Sequence, residues 1–329
     1  MDIRNGAIMT DRDKSLIITN TTTDLALSST RQLMDLTQKI LQNKMPQIFT
    51  ADVSEDAWWD RLIAWAESCG IDDFGNYSGE ALREELLSIT ELNLSGYGER
   101  ITELPPEIGK LGNLRKLNVR CNWLKYLPAE IGQLAKLTSL DLSYKIVILF
   151  GYTALSENRL TELPPEIGQL ANLNFLDLSG NKLTDLPPQI GQLSYLTLLD
   201  LCENQLTGLP PEIGQLANLT NLILSRNKLR ELPPEIGQLA NLTSLNLMGN
   251  RLTELPPEIG QLANLTSLDL RENKLTDLPP QIGQLANLSW DFNLRKNRLT
   301  ELPPEIGQLA NLTSLNLMGN QLIYLYSGP

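Results

Sequence analysis

From residue 89 onward, apolar and polar positions recur with a period of 23. Leu173, Leu196, Leu219, Leu242, Leu265 and Leu288 each open the same string, such as LTSLNLMGNRLTELPPEIGQLAN at 242–264. Less regular copies begin at Ile89, Leu114, Leu137 and Leu312, giving about ten units. The opening L-x-x-L-x-L alternates with the period of two of a half-buried strand, so the leucines are expected to face inward and the variable residues outward. Successive strands are expected to stack as a parallel ladder. In the second half of each unit a proline pair such as Pro233-Pro234 fits an extended residue followed by the first position of a helix. Glu235 suits the first-turn dipole and Gly237 permits tight packing, so one short helical turn per unit is predicted. All nineteen prolines except Pro46 and Pro329 occupy this slot, which makes proline a mark of position rather than of disorder.

Residues 1–88 do not repeat. Residues 29–42 read as a helix with Leu33, Leu36, Ile40 and Leu41 on one face. A second helix, over 55–69, follows Ser54 as N-cap, ends before Gly70 and carries Trp58, Trp59, Leu62, Ile63 and Trp65. Glu80 to Ser88 reads as a third, and 15–26 as an edge strand. The ring cluster is expected to cap the first unit's leucines, so the chain divides into a region 1–88 with a helical cap and an array over 89–329.

Interruptions of a regular array carry more information than the array itself. An insertion near 144–156 stretches the unit opened by Leu137 to 36 residues and includes the apolar run Ile146 to Phe150. It is expected either to project and offer an apolar contact or to fold back on the stack. Tyr97 to Arg100 lengthens the first unit by two residues, and Trp290-Asp291-Phe292 lengthens another by one, where a bulge is expected. The last unit is incomplete and has no polar capping helix, so either the natural protein continues or this end self-associates.

Outward positions of successive strands fall in columns. The third position reads Lys116, Ser139, Phe175, Leu198, Asn221, Ser244, Ser267, and the fifth Asn118, Asp141, Asp177, Asp200, Ile223, Asn246, Asp269. The seventh turns basic toward the C-terminal end, with Arg271 and Arg295. Stacked aspartates beside Phe175 and Leu198 form an apolar core with an acidic rim, which suits a protein partner with a basic or amphipathic segment. The residues expected to bind it are Asp141, Phe175, Asp177, Leu198, Asp200, Ile223 and Arg271. The competing structural role is that each aspartate satisfies a neighbouring turn. The asparagines that follow each strand, Asn122 through Asn320, are expected to form a hydrogen-bonded ladder and not a binding site.

Composition narrows the chemistry. The chain has 329 residues, a net charge of −12 and no histidine. The charge argues against nucleic acid or an anionic membrane as partner. The missing histidine removes the usual general base, the usual zinc ligand and every Ser-His or Cys-His pair. Cys69, Cys121 and Cys202 are too few and too scattered for a disulfide framework or a metal knuckle. No catalytic residue, cofactor or metal is expected, and the chain is not read as an enzyme. With no apolar run of signal-peptide length at residues 1–20, it is expected to be cytoplasmic.

The unit L-x-x-L-x-L-x-x-N-x-L-x-x-L-P-P-E-I-G-Q-L-x-x resembles the leucine-rich-repeat family, in the class with L-P-x-x-I-G-x-L that occurs in Ras-group scaffold proteins and many bacterial repeat proteins. The resemblance covers 89–325. It implies an α/β fold: a right-handed solenoid, or horseshoe, with a parallel sheet on its concave side and short helical turns on the convex side. It further implies a non-catalytic scaffold that binds protein on the concave sheet. The alternative is the sensing fragment of a larger signalling protein or bacterial effector whose activity lies on a further C-terminal segment. No G-x-x-x-x-G-K-[ST] phosphate loop is present.

Overall fold

A computed structural model describes residues 58–71, 80–149, 152–156, 158–289 and 292–323. The expected helix at 29–42, the expected strand at 15–26 and the chain from 324 on lie outside these residues. Among the described residues, ten strands form one parallel sheet: β1 (Glu91–Asn93), β2 (Lys116–Asn118), β3 (Ser139–Asp141), β6 (Phe175–Asp177), β7 (Leu198–Asp200), β8 (Asn221–Ile223), β9 (Ser244–Asn246), β10 (Ser267–Asp269), β11 (Phe292–Asn293) and β12 (Leu315–Asn316). β4 (Lys145–Leu149) and β5 (Tyr152–Ser156) form a separate antiparallel pair. Equivalent residues pair directly, for example Phe175 with Leu198 and Leu176 with Leu199, because a constant repeat length leaves only one register that buries every leucine.

Each unit contributes its leucines to a single continuous core. Leu173, Leu176, Leu178 and Leu183 are completely buried, as are their counterparts in neighbouring units. On the far side of that core each unit makes a five-residue 3-10 turn. In the turn Pro234–Gln238, Pro233 is extended, Ile236 N donates to Pro233 O (3.0 Å) and Leu239 N donates to Ile236 O (3.3 Å). The i→i+3 pattern explains why the predicted helical turn is 3-10 and not α: five residues cannot complete a useful α ladder. The glycine inside the turn is required by the next unit. A Cβ at Gly237 would lie 2.5 Å from the carbonyl oxygen of Glu258.

The asparagines form the expected ladder, and each one reaches back to the preceding unit. Asn227 Nδ2 donates to Leu201 O (2.8 Å) and to Leu224 O (3.1 Å), while its Oδ1 accepts the N–H of Leu206 (3.0 Å). The asparagines of the Asn-Leu-Thr triplets make a second ladder on the other flank. Asn241 Nδ2 donates to Ala217 O and Asn264 Nδ2 to Ala240 O, both at 2.8 Å, so their recurrence follows from backbone satisfaction. The main ladder ends at Asn122, whose Oδ1 is buried without a partner. The two additional residues of the first unit displace the N–H that would have met it, and Ile101 N turns to Gly98 O instead.

Helix α1 (Trp58–Ser68) lies against the first 3-10 turn. Trp58, Leu62, Ile63 and Ala66 are buried in the same core as Leu92 and Leu94; Trp59 and Trp65 pack partly buried against it. Trp65 Nε1 donates to Glu103 O (3.2 Å), and Arg61 pairs with Glu107. Gly70 has φ +64°, the left-handed residue that ends such a helix. Helix α2 (Glu80–Ser88) follows and leads into β1.

The insertion becomes the β4–β5 hairpin, with Lys145 opposite Ser156 and Leu149 opposite Tyr152. It leaves the stack undisturbed. β3 pairs with β6 across it, and Asn158 resumes the ladder by donating to Val119 O and Leu142 O, both at 2.9 Å. In the unit opened by Leu288, Phe292 takes the inward position of a leucine and is fully buried, and β10 and β11 retain a single registered pair, Asp269 with Asn293.

Candidate functional site

The outward face of the sheet between β3 and β8 brings most of the expected binding residues together. Register places Asp141 beside Asp177, Asp177 beside Asp200, and Asp200 beside Ile223, so the four form a row with ~4.8 Å between neighbours. Phe175 and Leu198 sit next to one another in the adjacent row. Strand pleating holds all six half-buried on the same face.

Each aspartate has two functions that can be separated by atom. Oδ1 of Asp141, Asp177 and Asp200 accepts the backbone N–H two residues on, from Ser143 (3.1 Å), Ser179 (3.0 Å) and Cys202 (2.9 Å). Asn118 and Asn246 make the same bond. The turn therefore requires one amide or carboxylate oxygen, and it does not require charge. The charge is in excess of the turn's need, and it carries an electrostatic cost. Burial pushes the carboxyl of Asp141 upward from the ordinary value, with Asp177 adding to it; burial, then Asp177 and Asp141, push Asp200 upward. Arg120 approaches Asp141 at 3.5 Å. No described lysine or arginine forms a salt bridge with Asp177 or Asp200.

Arg271 does not join this row. It stands two strands beyond Ile223, and its guanidinium is clamped on Asp269 of its own unit, with Nε 2.9 Å from Oδ1 and a terminal nitrogen 2.6 Å from Oδ2. Three serines of the seventh column also differ from their expected place on the surface. Ser143, Ser179 and Ser225 are buried, because the chain turns immediately after them and a small residue is covered by the turn.

Sequence reasoning missed the position just before each asparagine. Cys121, Gly180, Glu203, Arg226, Gly249, Glu272, Lys296 and Gly319 all have φ between 54° and 77°. A side chain there costs about 1 kcal/mol relative to glycine. The recurrence of glycine at 180, 249 and 319 was the available signal. Over this column Tyr144, the last residue before the hairpin, packs against Gly180 and reaches Glu203. Burial, then the bond to Glu203, push its hydroxyl up to about 12. Glu203 also pairs with Arg226 at 2.5 Å. Beside it, burial and then Asp200 push the Cys202 thiol upward, away from thiolate chemistry.

Among the described residues no cluster of three or more metal-ligating side chains occurs, and no helix is long and apolar enough to cross a membrane.

A parallel sheet of short strands, 3-10 turns opposite it and an asparagine ladder between them define a leucine-rich-repeat solenoid. Family profiles agree: one for a leucine-rich repeat region matches residues 235–322, and two for leucine-rich repeats match 194–252 and 172–193. The chain belongs to the leucine-rich-repeat proteins. Among solved structures, a leucine-rich-repeat protein of Leptospira interrogans is 43% identical with a TM-score of 0.66; the match covers 76% of this chain and 59% of that one. The plant peptide hormone receptor RGFR1, solved in complex with RGF2, is 37% identical with a TM-score of 0.59, covering 71% of this chain and 36% of the receptor. The ectodomain of the receptor kinase GASSHO1/SCHENGEN3 from Arabidopsis thaliana, in complex with CASPARIAN STRIP INTEGRITY FACTOR 2, is 35% identical with a TM-score of 0.57 and coverages of 67% and 26%. The chain thus spans less than two thirds of the length of each of these relatives. No curated protein matches it in sequence.

Proposed function

We propose that this chain is a non-catalytic scaffold whose outward sheet face binds a partner protein, with the contact centred on Phe175, Leu198 and the row Asp141, Asp177, Asp200, Ile223. The observation that carries this reading is the superfluous charge. The turns are satisfied equally well by asparagine, yet three successive units place carboxylates side by side, and two of the three meet no described cation. Such a row is destabilising alone and favourable once a basic group covers it. Phe175 and Leu198 supply the desolvated centre that such a contact needs. The partner is therefore a polypeptide with a basic or amphipathic segment. One of the solved relatives is a peptide hormone receptor in complex with RGF2, which supports a polypeptide as the bound species.

The test is a crosslinking pull-down from the source lysate, comparing the native chain with a Phe175→Asp, Leu198→Asp variant whose far-ultraviolet circular dichroism is unchanged. A partner retained by the native chain and lost by the variant supports the reading. Identical partners with both would place binding elsewhere.

A further inference from the structure

The flank where the strands begin, which carries the second asparagine ladder, holds two grooves that meet at Tyr195. One, of about 560 Å³, runs from Arg115 and Lys136 past Asn172 and Asn174 to Tyr195 and Thr197. The other, of about 770 Å³, continues from Tyr195 along the threonines and asparagines of the later units as far as Asn287. Neither is lined by a carboxylate, in a chain whose net charge is −12, and neither by an aliphatic side chain.

The repeats supply their own standard of comparison. Each unit turns two residues to this flank, the asparagine before its opening leucine and the threonine after it, as in Asn218 and Thr220. Between residues 113 and 287 the asparagine is replaced at Lys136 and Tyr195, and the threonine at Arg115 and Asn174. All four replacements line the first groove. Two of them abandon a bond of the ladder. Asn172 Nδ2 donates to Ala135 O at 2.8 Å and Asn218 Nδ2 to Ser194 O at 2.7 Å, whereas the equivalent carbonyls facing Lys136 and Tyr195, those of Gly112 and Ala171, accept nothing from the described residues. Tyr195 returns nothing to the fold for this loss: its ring is 62% exposed and its hydroxyl bonds no described residue.

The groups left available differ along the groove. The Arg115 guanidinium has no partner among the described residues, and Lys136 Nζ spends one donor on Asn113 Oδ1 at 2.6 Å and keeps the others. The Asn174 amide is unengaged, and Asn172 keeps its Oδ1 and its second N–H. Thr138 and Thr197 give their hydroxyl protons to Arg115 O and Asn174 O and keep their lone pairs. Cations therefore stand at one end and a ring at the other, with groups that both donate and accept between them. Along the sheet Lys136 lies two strands from Tyr195, ~10 Å, and Arg115 three strands, ~14 Å.

We infer that this flank is a second binding site, for a linear oligosaccharide that bears an acidic group. The carboxylate, sulfate or phosphate of the sugar pairs with Arg115 and Lys136. Its hydroxyls, which both donate and accept, meet Asn172, Asn174 and Thr197, and the C–H face of one sugar ring lies on Tyr195. The neutral remainder of the chain continues into the second groove. A peptide fits less well, because the lining offers no aliphatic anchor of the kind that Leu198 provides on the sheet face. Nucleic acid fits less well again: it carries a charge at every step, and beyond Tyr195 no cation lines the groove. The site shares no residue with the proposed protein-binding row and does not depend on it.

The test returns the site to the residues that the other units use. The native chain, Tyr195→Asn, the double variant Arg115→Thr, Lys136→Asn, and the sheet-face variant Phe175→Asp, Leu198→Asp are applied to an array of immobilised linear oligosaccharides, neutral, uronate-containing, sulfated and phosphorylated. The native chain and the sheet-face variant should retain the same acidic members, and the acidic group retained best names the source. Each reversion should weaken that retention about tenfold or more, the loss of one stacking or charge-assisted contact. Tyr195→Asn, which can restore the bond to Ala171 O, should melt at or above the temperature of the native chain. The inference is overturned if the native chain retains no member of the array, or if retention survives both reversions. A lower melting temperature for Tyr195→Asn would assign the ring to the fold and remove the argument. Polyglutamate that binds the native chain, is lost on the Arg115→Thr, Lys136→Asn variant and ignores Tyr195→Asn would reduce the site to a patch of charge and also overturn it.

Discussion

Replacing Asn227 with alanine tests whether the ladder holds the array together. The side chain serves four backbone groups, but their losses are unequal; the long bond to Ser225 O, at 3.4 Å, matters least, since that carbonyl also accepts from Glu203 N at 2.9 Å. Leu201 O also accepts from Asn204, at 3.1 Å, and Leu224 O also accepts from Asn250, at 2.9 Å, so each carbonyl keeps a partner. The N–H of Leu206 has only Oδ1 of Asn227, at 3.0 Å, and becomes a buried orphan. An unsatisfied buried group costs about 1–3 kcal/mol and each lost hydrogen bond about 1 kcal/mol net, so the substitution should destabilise by about 3–5 kcal/mol. Asn122→Ala provides the internal contrast. Its Oδ1 holds no N–H, so the variant orphans no donor; Val119 O keeps Asn158 and Arg120 O keeps the N–H of Gly96, and the carbonyl of Leu94 loses its amide, for about 1–2 kcal/mol. Urea unfolding followed by circular dichroism gives the two values, and amide hydrogen exchange of Leu206 reads the lost bond directly. If Leu206 stays protected in Asn227→Ala, or if the two variants lose equal stability, the ladder does not do what its geometry says.

Three further outcomes follow from the same coordinates. Gly237→Ala should lose about 1–3 kcal/mol, because its Cβ meets a backbone oxygen at 2.5 Å; Gly307→Ala, with nothing within 4 Å, should be neutral within about 0.5 kcal/mol in parallel thermal melts. Asp200→Asn keeps the turn bond and removes a carboxylate whose folded pKa is raised. A raised carboxyl pKa means that charge opposes folding at neutral pH and that protonation relieves it. The variant should therefore be more stable than the native chain at pH 7, the difference vanishing as pH falls through the ordinary carboxylate range, while partner binding weakens at pH 7. Equal stability of the two at pH 7 would contradict the electrostatic account. Cys202 should react with a thiol-specific chromogenic disulfide at pH 8 far more slowly than free cysteine, and rates indistinguishable from the free thiol would show that its environment is misassigned.

The architecture was legible because a 23-residue period constrains everything at once. It fixes which leucines face inward, which residue follows Pro233, and which strand pairs with which, all from residues that repeat. The candidate row at Asp141, Asp177 and Asp200 was legible for the same reason. What escaped was whatever depends on departures from the period. The insertion has no periodic partner, so nothing in its residues distinguished a hairpin at Lys145–Ser156 from a loop folded on the stack. The left-handed slot at Glu203 and Arg226 was hidden because charged residues there mask the glycine that the conformation favours. The pairing of Arg271 with Asp269 escaped because columns predict which face a residue occupies and not which neighbour claims its side chain.

The connectors between units are the same at nearly every step: one asparagine reaching back, one proline-led turn, one glycine pressed against the next carbonyl. A unit copied in the middle of the array meets on both sides the surfaces it already fits, so lengthening the protein creates no new interface for selection to refine. Each such event also moves the outward side chains on either side of the copy apart by one fixed increment of ~4.8 Å, about the advance of one or two residues of an extended chain. Duplication in this architecture changes a ruler one graduation at a time, and the spacing of any two outward side chains is inherited in whole steps.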